Sequence, residues 1–408
     1  MTEDYCRISG SLLTKVVDFG LQPLGNGFIE PNEFKKEYFF PMEIGFSEVS
    51  MMLQLLKQPS PEKMFHDHYA FYSSTSNFMA AHFKEFSNQV IQSDYMKNNS
   101  PFVVELGCND GIMLKNFAEL GFNHLGIEPS LNVAKEANKV GVKTRSEFFS
   151  ESLAEAIVIE EGQADVFLAA NVMCHIPTIL DVVKGIKKLL KPSGVAIFED
   201  PYLGDILEKT SYDQIYDEHV FIFSALSIQY LFAQQEMELI DVIAQKTHGG
   251  SMRYVVAHKG FYPIKTSVKE LIDNERKKGL DRLVTFETFK ANVERSKSDL
   301  VNLLRNLKKE GKRVVGYAAT SKSTTILNYC NIGPDLIESI CDTTPIKQNK
   351  FSPGVHIPIA PYETFKSNPP DFAFLFAWNH AEEIMAKEKD FTGSGGKWIT
   401  HIPNVKVI

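Results

Sequence analysis

Cysteine is scarce in this chain: five residues among 408, at positions 6, 108, 174, 330 and 341. So few, odd in number and scattered, they imply no disulfide framework. Long apolar runs are also missing; none approaches the roughly 20 residues that a membrane-spanning helix needs. The opening MTEDYCRISG has neither the basic stretch nor the apolar stretch of a secretory leader, so a soluble cytoplasmic protein is expected. Positive charge is in deficit as well. A formal net charge of −8 argues against nucleic acid or a membrane as partner, yet leaves room for a local basic pocket that takes a phosphorylated metabolite. Internal repeats and low-complexity tracts are absent. So is the G-x-G-x-x-G turn of dinucleotide-binding folds.

What is present is globular. The chain is 44% hydrophobic and 23% charged, with 30 Phe and 14 Tyr, enough to bury sizeable cores. Its length suits two or three domains. Residues 1–86 mix short apolar pieces with turn signals at 23–27 and 58–61, which reads as a small irregular module. Residues 87–262 carry a Rossmann-like rhythm, with strands expected at 103–107, 124–128, 164–170 and 195–199 and helices at 112–120, 131–140 and 179–190. A closing strand pair, 239–245 and 252–257, follows. In residues 263–408, a charged stretch at 266–309 reads as a solvated helical connector. A second rhythm then has strands at 313–317, 337–341 and 372–378 and helices at 324–330 and 381–389. The fold class is α/β, with two doubly wound units behind a small N-terminal domain.

The first turn of the central unit is ELGCNDG, 105–111. Gly107 and Gly111 let the backbone approach a ligand around Asn109, and the acidic Glu105 and Asp110 suit a ligand with positive charge. The next strand ends at Glu128, whose carboxylate can accept both hydroxyls of a ribose. Together they point to S-adenosylmethionine; the alternative is an ordinary turn with one surface glutamate. Asn171 and His175 follow a further strand, where side chains line the crevice of an open sheet. Residues 199–202, EDPY, hold the equivalent place after the next strand, or else form a turn that caps a helix. The run YDQIYDEH, 212–219, puts a proton acceptor, His219, beside the carboxylate of Glu218 and the phenols of Tyr212 and Tyr216. That suggests carbon deprotonation followed by methylation; the alternative is a helical stripe of Tyr212, Tyr216 and His219. In the last unit, amides of the turn at 316–324 could cradle a diphosphate with Lys322 as counter-charge. Asp342 stands where a ribose-binding carboxylate often does, and Trp378 and Asn379 border the same crevice.

Taken with DFGLQPLGN, YAFYSS, HGGSMR, GYAATSKSTT, CDTTPIKQNKFSPGVHIPI and AWNHAEEI, these motifs run nearly end to end. The chain resembles the sugar C-methyltransferases that act on nucleotide-linked 4-keto-deoxysugars. The resemblance implies a central methyltransferase domain that uses S-adenosylmethionine, a C-terminal Rossmann-like domain, and a nucleotide diphosphate sugar held between domains. It implies His219 as general base, Tyr216 and Glu218 as its partners, Tyr69 or Tyr72 as a tyrosine contributed by the N-terminal domain, and Asn171 and His175 as pocket residues. One departure stands out. Where that family holds zinc through two Cys-x-x-Cys pairs, this chain has Cys6, Ser9, Ser47 and Ser50, so no zinc is expected. His66, Asp67 and His68 read as a solvated helix end or loop. The rivals are a nicotinamide-dependent keto-sugar reductase or epimerase, which the acidic first turn disfavours, and a non-catalytic sugar-nucleotide-binding protein.

Overall fold

The computed structural model describes residues 4–60 and 73–408. Tyr69, Tyr72, His66, Asp67 and His68 lie outside the described residues.

The N-terminal module is not irregular. Strands Thr14–Pro23, Phe39–Ser47 and Met52–Leu55 pair antiparallel, and a fourth strand, Phe221–Ile222, comes from the segment just after YDQIYDEH. Local pattern could not show this sheet, because its fourth strand is remote in sequence. One face of it (Val17, Phe19, Ile44, Phe46, Leu53, Leu55) packs against the long helix Leu283–Lys309 and the C-terminal unit.

That packing also corrects the expected solvated connector. Phe286, Phe289, Val293, Ser296, Leu300, Leu304 and Leu307 recur at three- and four-residue spacing and are buried, so the charges lie toward the outer face. Phe286 stacks on Phe46 with ring centres 4.1 Å apart. Burying each such apolar side chain is worth roughly 1.5–3 kcal/mol. In the preceding helix, Thr266–Lys277, the buried Glu275 accepts the N–H groups of Ala225 (2.8 Å) and Leu226 (2.9 Å) and the Tyr202 hydroxyl (2.9 Å). It thereby satisfies the open amino end of helix Ala225–Ala233.

The central sheet has seven strands in the order Met237–Gln245, Ser251–His258, Leu190–Pro201, Ala164–Ala170, Phe102–Leu106, Asn123–Ile127, Thr144–Arg145. The closing pair is antiparallel, as its loop implied, and Ser251–His258 also runs antiparallel to Leu190–Pro201; the remaining neighbours run parallel. Helix Asn77–Ile91 runs through residue 86 and packs Phe83, Phe86 and Val90 on this sheet. The helix expected at 112–120 shrinks to Lys115–Ala118, because the glycine turn extends into its first residues. The strand expected at 195–199 grows to Leu190–Pro201, which places Glu199 and Asp200 inside a buried strand rather than in a capping turn.

The C-terminal sheet runs Ile359–Pro361, Ile340–Asp342, Val314–Tyr317, Phe372–Leu375, Lys397–Thr400, Lys406–Val407; only the last pairing is antiparallel. Residues 378–380, expected partly as strand, form a short 3₁₀ turn.

Between the units lies YDQIYDEH. It is a single 3₁₀ turn, Tyr212–Gln214, followed by irregular chain, so the helical stripe does not form. Bonds from three directions pin it. Gly25 N–H donates to Asp217 (3.0 Å), the Thr325 hydroxyl to the Ile215 carbonyl (2.9 Å), and the Trp378 indole N–H to Asp213 (2.6 Å).

Candidate active site

The glycine turn is built for close approach. Gly107 has φ 67°, and a Cβ there would lie 2.3 Å from Val172 Cγ2, so no other residue fits without displacing Val172. Asn109 shares the left-handed region at φ 48°. The amide N–H groups of Asn109 (3.1 Å) and Ser130 (2.9 Å) donate to the two oxygens of Glu128, fixing its carboxylate while leaving a lone pair on each oxygen. Glu128 is 6% exposed, which is not the surface glutamate of an ordinary turn. Burial pushes Glu105 well above the ordinary carboxylate range and raises Glu128 too. A cation would reverse that cost. Among the described residues, Glu105 Oε2, Asp110 Oδ1 and Asn171 Oδ1 are buried without a hydrogen-bond partner. Three unspent acceptors around a left-handed glycine turn fit a positively charged nucleoside such as S-adenosylmethionine.

Asp110 has a second role that its charge did not suggest. Its Oδ2 accepts the N–H (2.9 Å) and hydroxyl (2.6 Å) of Ser74, and Asn109 Oδ1 accepts the Ser73 N–H (3.0 Å). The turn therefore tethers the chain directly after Tyr69 and Tyr72.

His219 is enclosed and doubly oriented. A carbonyl can only accept, so the 2.6 Å contact with the Gln214 carbonyl places the proton on Nδ1. Nε2 then accepts from the Tyr216 hydroxyl at 2.7 Å. Burial holds His219 well below its usual range, so the ring is neutral. The His175 ring centre lies 5.2 Å away, and burial lowers His175 to about 4. Glu218 accepts the Asn26 side-chain amide at 3.0 Å. Burial, and then Asp217 beside it, lifts Glu218 above the ordinary range, which keeps its proton on at neutral pH. In the sequence Gly25 and Asn26 stood only as turn residues and as the end of the motif DFGLQPLGN, with no role of their own. Yet a Cβ on Gly25 would meet Asp217 Oδ1 at 2.8 Å, so only glycine lets this loop seal the site.

Metal-ligating atoms of Cys174, His175 and His219 lie within 4.8 Å of one another. Both His219 nitrogens are already engaged, and burial holds the Cys174 thiol protonated, so the set does not fit a metal as it stands. In the neighbouring strand Asp200 accepts the Cys174 N–H (3.4 Å), and burial raises it to about 7. Glu199 accepts from His82 (2.8 Å), Thr247 (2.9 Å) and Arg253 (2.8 Å) as a structural ion cluster.

On the C-terminal side, Lys322 donates to Asn379 Oδ1 (3.1 Å) and sits 4.9 Å from the centre of the Trp378 ring. Burial lowers Lys322 to about 8, with Asp213 opposing the shift. Asp342 accepts the N–H groups of Ala319 and Thr344, each at 2.7 Å, much as Glu128 does in the central unit. The amides expected to cradle a diphosphate are partly spent: Ala319 N–H goes to Asp342, Thr320 N–H to the Ser323 hydroxyl, and Ser323 N–H to the Thr320 hydroxyl. Anion affinity therefore falls to Lys322 more than to the turn. Tyr212, expected at the substrate, is instead a core residue at 0% exposure, packed against Phe19, Tyr329 and His401. Asp213, which the sequence reading passed over, carries the link to Trp378.

The four zinc-like positions do converge. Cys6 Sγ lies 3.2 Å from Ser50 Oγ, and Ser47 Oγ lies 3.4 Å from Ser9 Oγ and 2.9 Å from Ser11 Oγ. One thiol and a mutually bonded set of hydroxyls is not a donor set that closes a structural zinc site.

Residues 6–65 match a family described as a putative zinc binding domain, residues 64–242 a methyltransferase domain, and residues 246–403 the C-methyltransferase C-terminal domain. The C-methyltransferase NovU of Streptomyces niveus is 32% identical over 408 residues, an alignment that spans 99% of this chain and 97% of that protein. A ubiquinone biosynthesis O-methyltransferase of Ralstonia nicotianae is 30% identical over 117 residues, covering 26% of this chain and 48% of its own length. Among solved structures, an S-adenosylmethionine-dependent methyltransferase of Anabaena variabilis aligns at 18% identity over 45% of this chain and 86% of its own, with a TM-score of 0.36.

Proposed function

The chain belongs to the C-methyltransferase family, and from that premise we propose that it methylates C3 of a nucleotide-linked 4-keto-6-deoxyhexose at His219, in the building of branched deoxysugars. Adenosylmethionine supplies an electrophilic methyl group on a sulfonium, and the acceptors of Glu105, Asn109, Glu128 and Asn171 would hold it. A nicotinamide dinucleotide suits this turn poorly, since its pyrophosphate would face Glu105 and Asp110.

The observation that carries the reading is the fixed, neutral His219. A proton next to a ketone is acidified by the carbonyl, so a neutral imidazole can take it. For that, the Tyr216 hydroxyl must leave Nε2. Once released, it and the protonated Glu218 are donors for the oxygen on which negative charge develops. The C3–H bond breaks toward Nε2, and its electron pair becomes the enolate. The carbon then bonds the methyl group while the C–S pair stays with sulfur, and His219 loses its proton to solvent. Holding carbon and methyl in line supplies much of the rate. Tyr69 or Tyr72, outside the described residues, keeps the role that the family resemblance implies, and Lys322, Trp378, Asn379 and Asp342 border the nucleotide end.

Incubating the protein with labelled methyl donor and a panel of 4-keto sugar nucleotides, read by mass spectrometry, tests this. A product heavier by one methyl on C3 is expected. Methyl transfer to oxygen only, or turnover of a nicotinamide cofactor, would refute the reading.

A further inference from the structure

One loop between the two Rossmann-like units is held in a conformation that its neighbours must enforce. His248 lies in the left-handed region at φ 53° and ψ 19°, and Gly249 and Gly250 follow at φ 84° and 130°. A non-glycine residue there costs conformational energy and, where observed, invites a functional explanation. The surroundings leave no slack. A Cβ on Gly249 would come 2.1 Å from the Trp378 indole, and one on Gly250 would come 2.3 Å from Asp205 Oδ2. Lys209 donates to Asp205 (2.8 Å), the Thr247 hydroxyl to Glu199 (2.9 Å) and the Ser251 hydroxyl to the Thr247 carbonyl (3.1 Å), which clamps both ends.

What the loop presents is a nitrogen. His248 Nε2 is buried and, among the described residues, has no hydrogen-bond partner. Charged and titratable groups reach it from several elements: Lys322 on helix Ser321–Tyr329, His380 on the Trp378–His380 turn, His82 on helix Asn77–Ile91, and Glu199 on the central sheet. His219 feels both His248 and Lys322. Glu199 is already spent on Arg253, His82 and Thr247, while Asp213, the carboxylate that acts on Lys322, accepts from Trp378 through Oδ2 and keeps Oδ1 without a partner among the described residues. Around His248 itself three basic side chains, Lys322, His380 and His82, stand against the single carboxylate of Glu199, which is already bonded, a balance that suits an anion.

We propose that His248, from the central unit, and Lys322, from the C-terminal unit, grip the diphosphate of the sugar nucleotide from two sides. The inference rests on the sugar-nucleotide reading above and adds a residue from the methyltransferase unit to the substrate's anionic end. Burial lowers His248 to about 3 before binding, with Lys322 adding to the shift, so the ring starts neutral. A diphosphate beside Nε2 favours the protonated ring, and binding then takes up a proton. Affinity rises as pH falls.

The test is calorimetric titration with uridine and thymidine diphosphates at about pH 6.5, in two buffers of different ionisation enthalpy. Wild type should bind one of them with net proton uptake. His248→Asn keeps a residue that tolerates left-handed backbone but cannot titrate. It should bind at least about tenfold more weakly, without uptake, while donor affinity and thermal midpoint hold. Lys322→Met should weaken binding yet leave the uptake in place. If His248→Asn binds like wild type with the same uptake, the His248 assignment fails and the function reading stands. If wild type binds neither diphosphate and methylates no sugar nucleotide, the function reading fails and takes the assignment with it.

Discussion

The two Rossmann-like units share one device set in surroundings of opposite charge. In each, the carboxylate just past or at the end of the second strand accepts an N–H from the first turn: Glu128 from Asn109 at 3.1 Å, Asp342 from Ala319 at 2.7 Å. Each turn carries left-handed residues, Gly107 and Asn109 in one and Ala318 in the other. The surroundings differ. Around the central turn stand Glu105 and Asp110, buried acids with an unspent oxygen each among the described residues. Around the C-terminal turn stand Lys322 and the half-buried Lys347, which donates to the Ala319 carbonyl at 2.8 Å. The shared topology positions a turn; a few side chains set the sign of the charge around it. On the reading proposed above, the sulfonium and the diphosphate are thereby kept apart and meet only through the carbon beside His219.

The largest effect should come from the residue between the units. His219→Ala should lower methyl transfer by about 100- to 10,000-fold with both ligands still bound, by calorimetry. Gly107→Ala attacks the central turn alone. With φ 67° and Val172 Cγ2 2.3 Å from the new Cβ, donor affinity should fall about tenfold or more while nucleoside diphosphate binding persists. A matched loss of both would break the separation of roles. Lys322→Met is the converse: a charged hydrogen bond of about 1.5–3 kcal/mol corresponds to roughly a 10- to 100-fold loss for the sugar nucleotide, with no change for the donor.

The two sites should also answer pH in opposite directions. Burial raises Glu105 and Glu128 in the empty protein, and a cation favours their ionised forms, so donor affinity should improve as pH climbs through that raised range. Lys322, lowered to about 8, loses its charge as pH passes that value, so nucleotide affinity should decline there. Parallel slopes would contradict the comparison.

Legibility followed distance along the chain. The central turn and Glu128 were readable because strand, glycine and carboxylate recur within a short stretch. The N-terminal sheet was not, since Phe221–Ile222 completes it from far away. Tyr212 was misplaced for the same reason: its neighbours Phe19, Tyr329 and His401 come from other parts of the chain and bury it. Asp213 was invisible until Trp378 stood beside it. The helical stretch reads as solvated because the charges of its outer face mask the regular spacing of Phe286, Phe289 and Val293.

The smallest expected effect lies in the N-terminal lobe. With Cys6 bonded to Ser50 and serines at the other positions, protein purified without chelator should contain no stoichiometric zinc by elemental analysis, and chelator should leave its thermal midpoint unchanged. One tightly held equivalent would overturn that reading.

The most direct measurement is hydrogen exchange at C3 of the keto sugar in deuterated solvent, followed by NMR without methyl donor. If His219 removes that proton, the wild-type protein exchanges it and His219→Ala, still binding the sugar nucleotide, does not. Exchange by the variant at the wild-type rate would remove His219 from the mechanism and pass the role to His175.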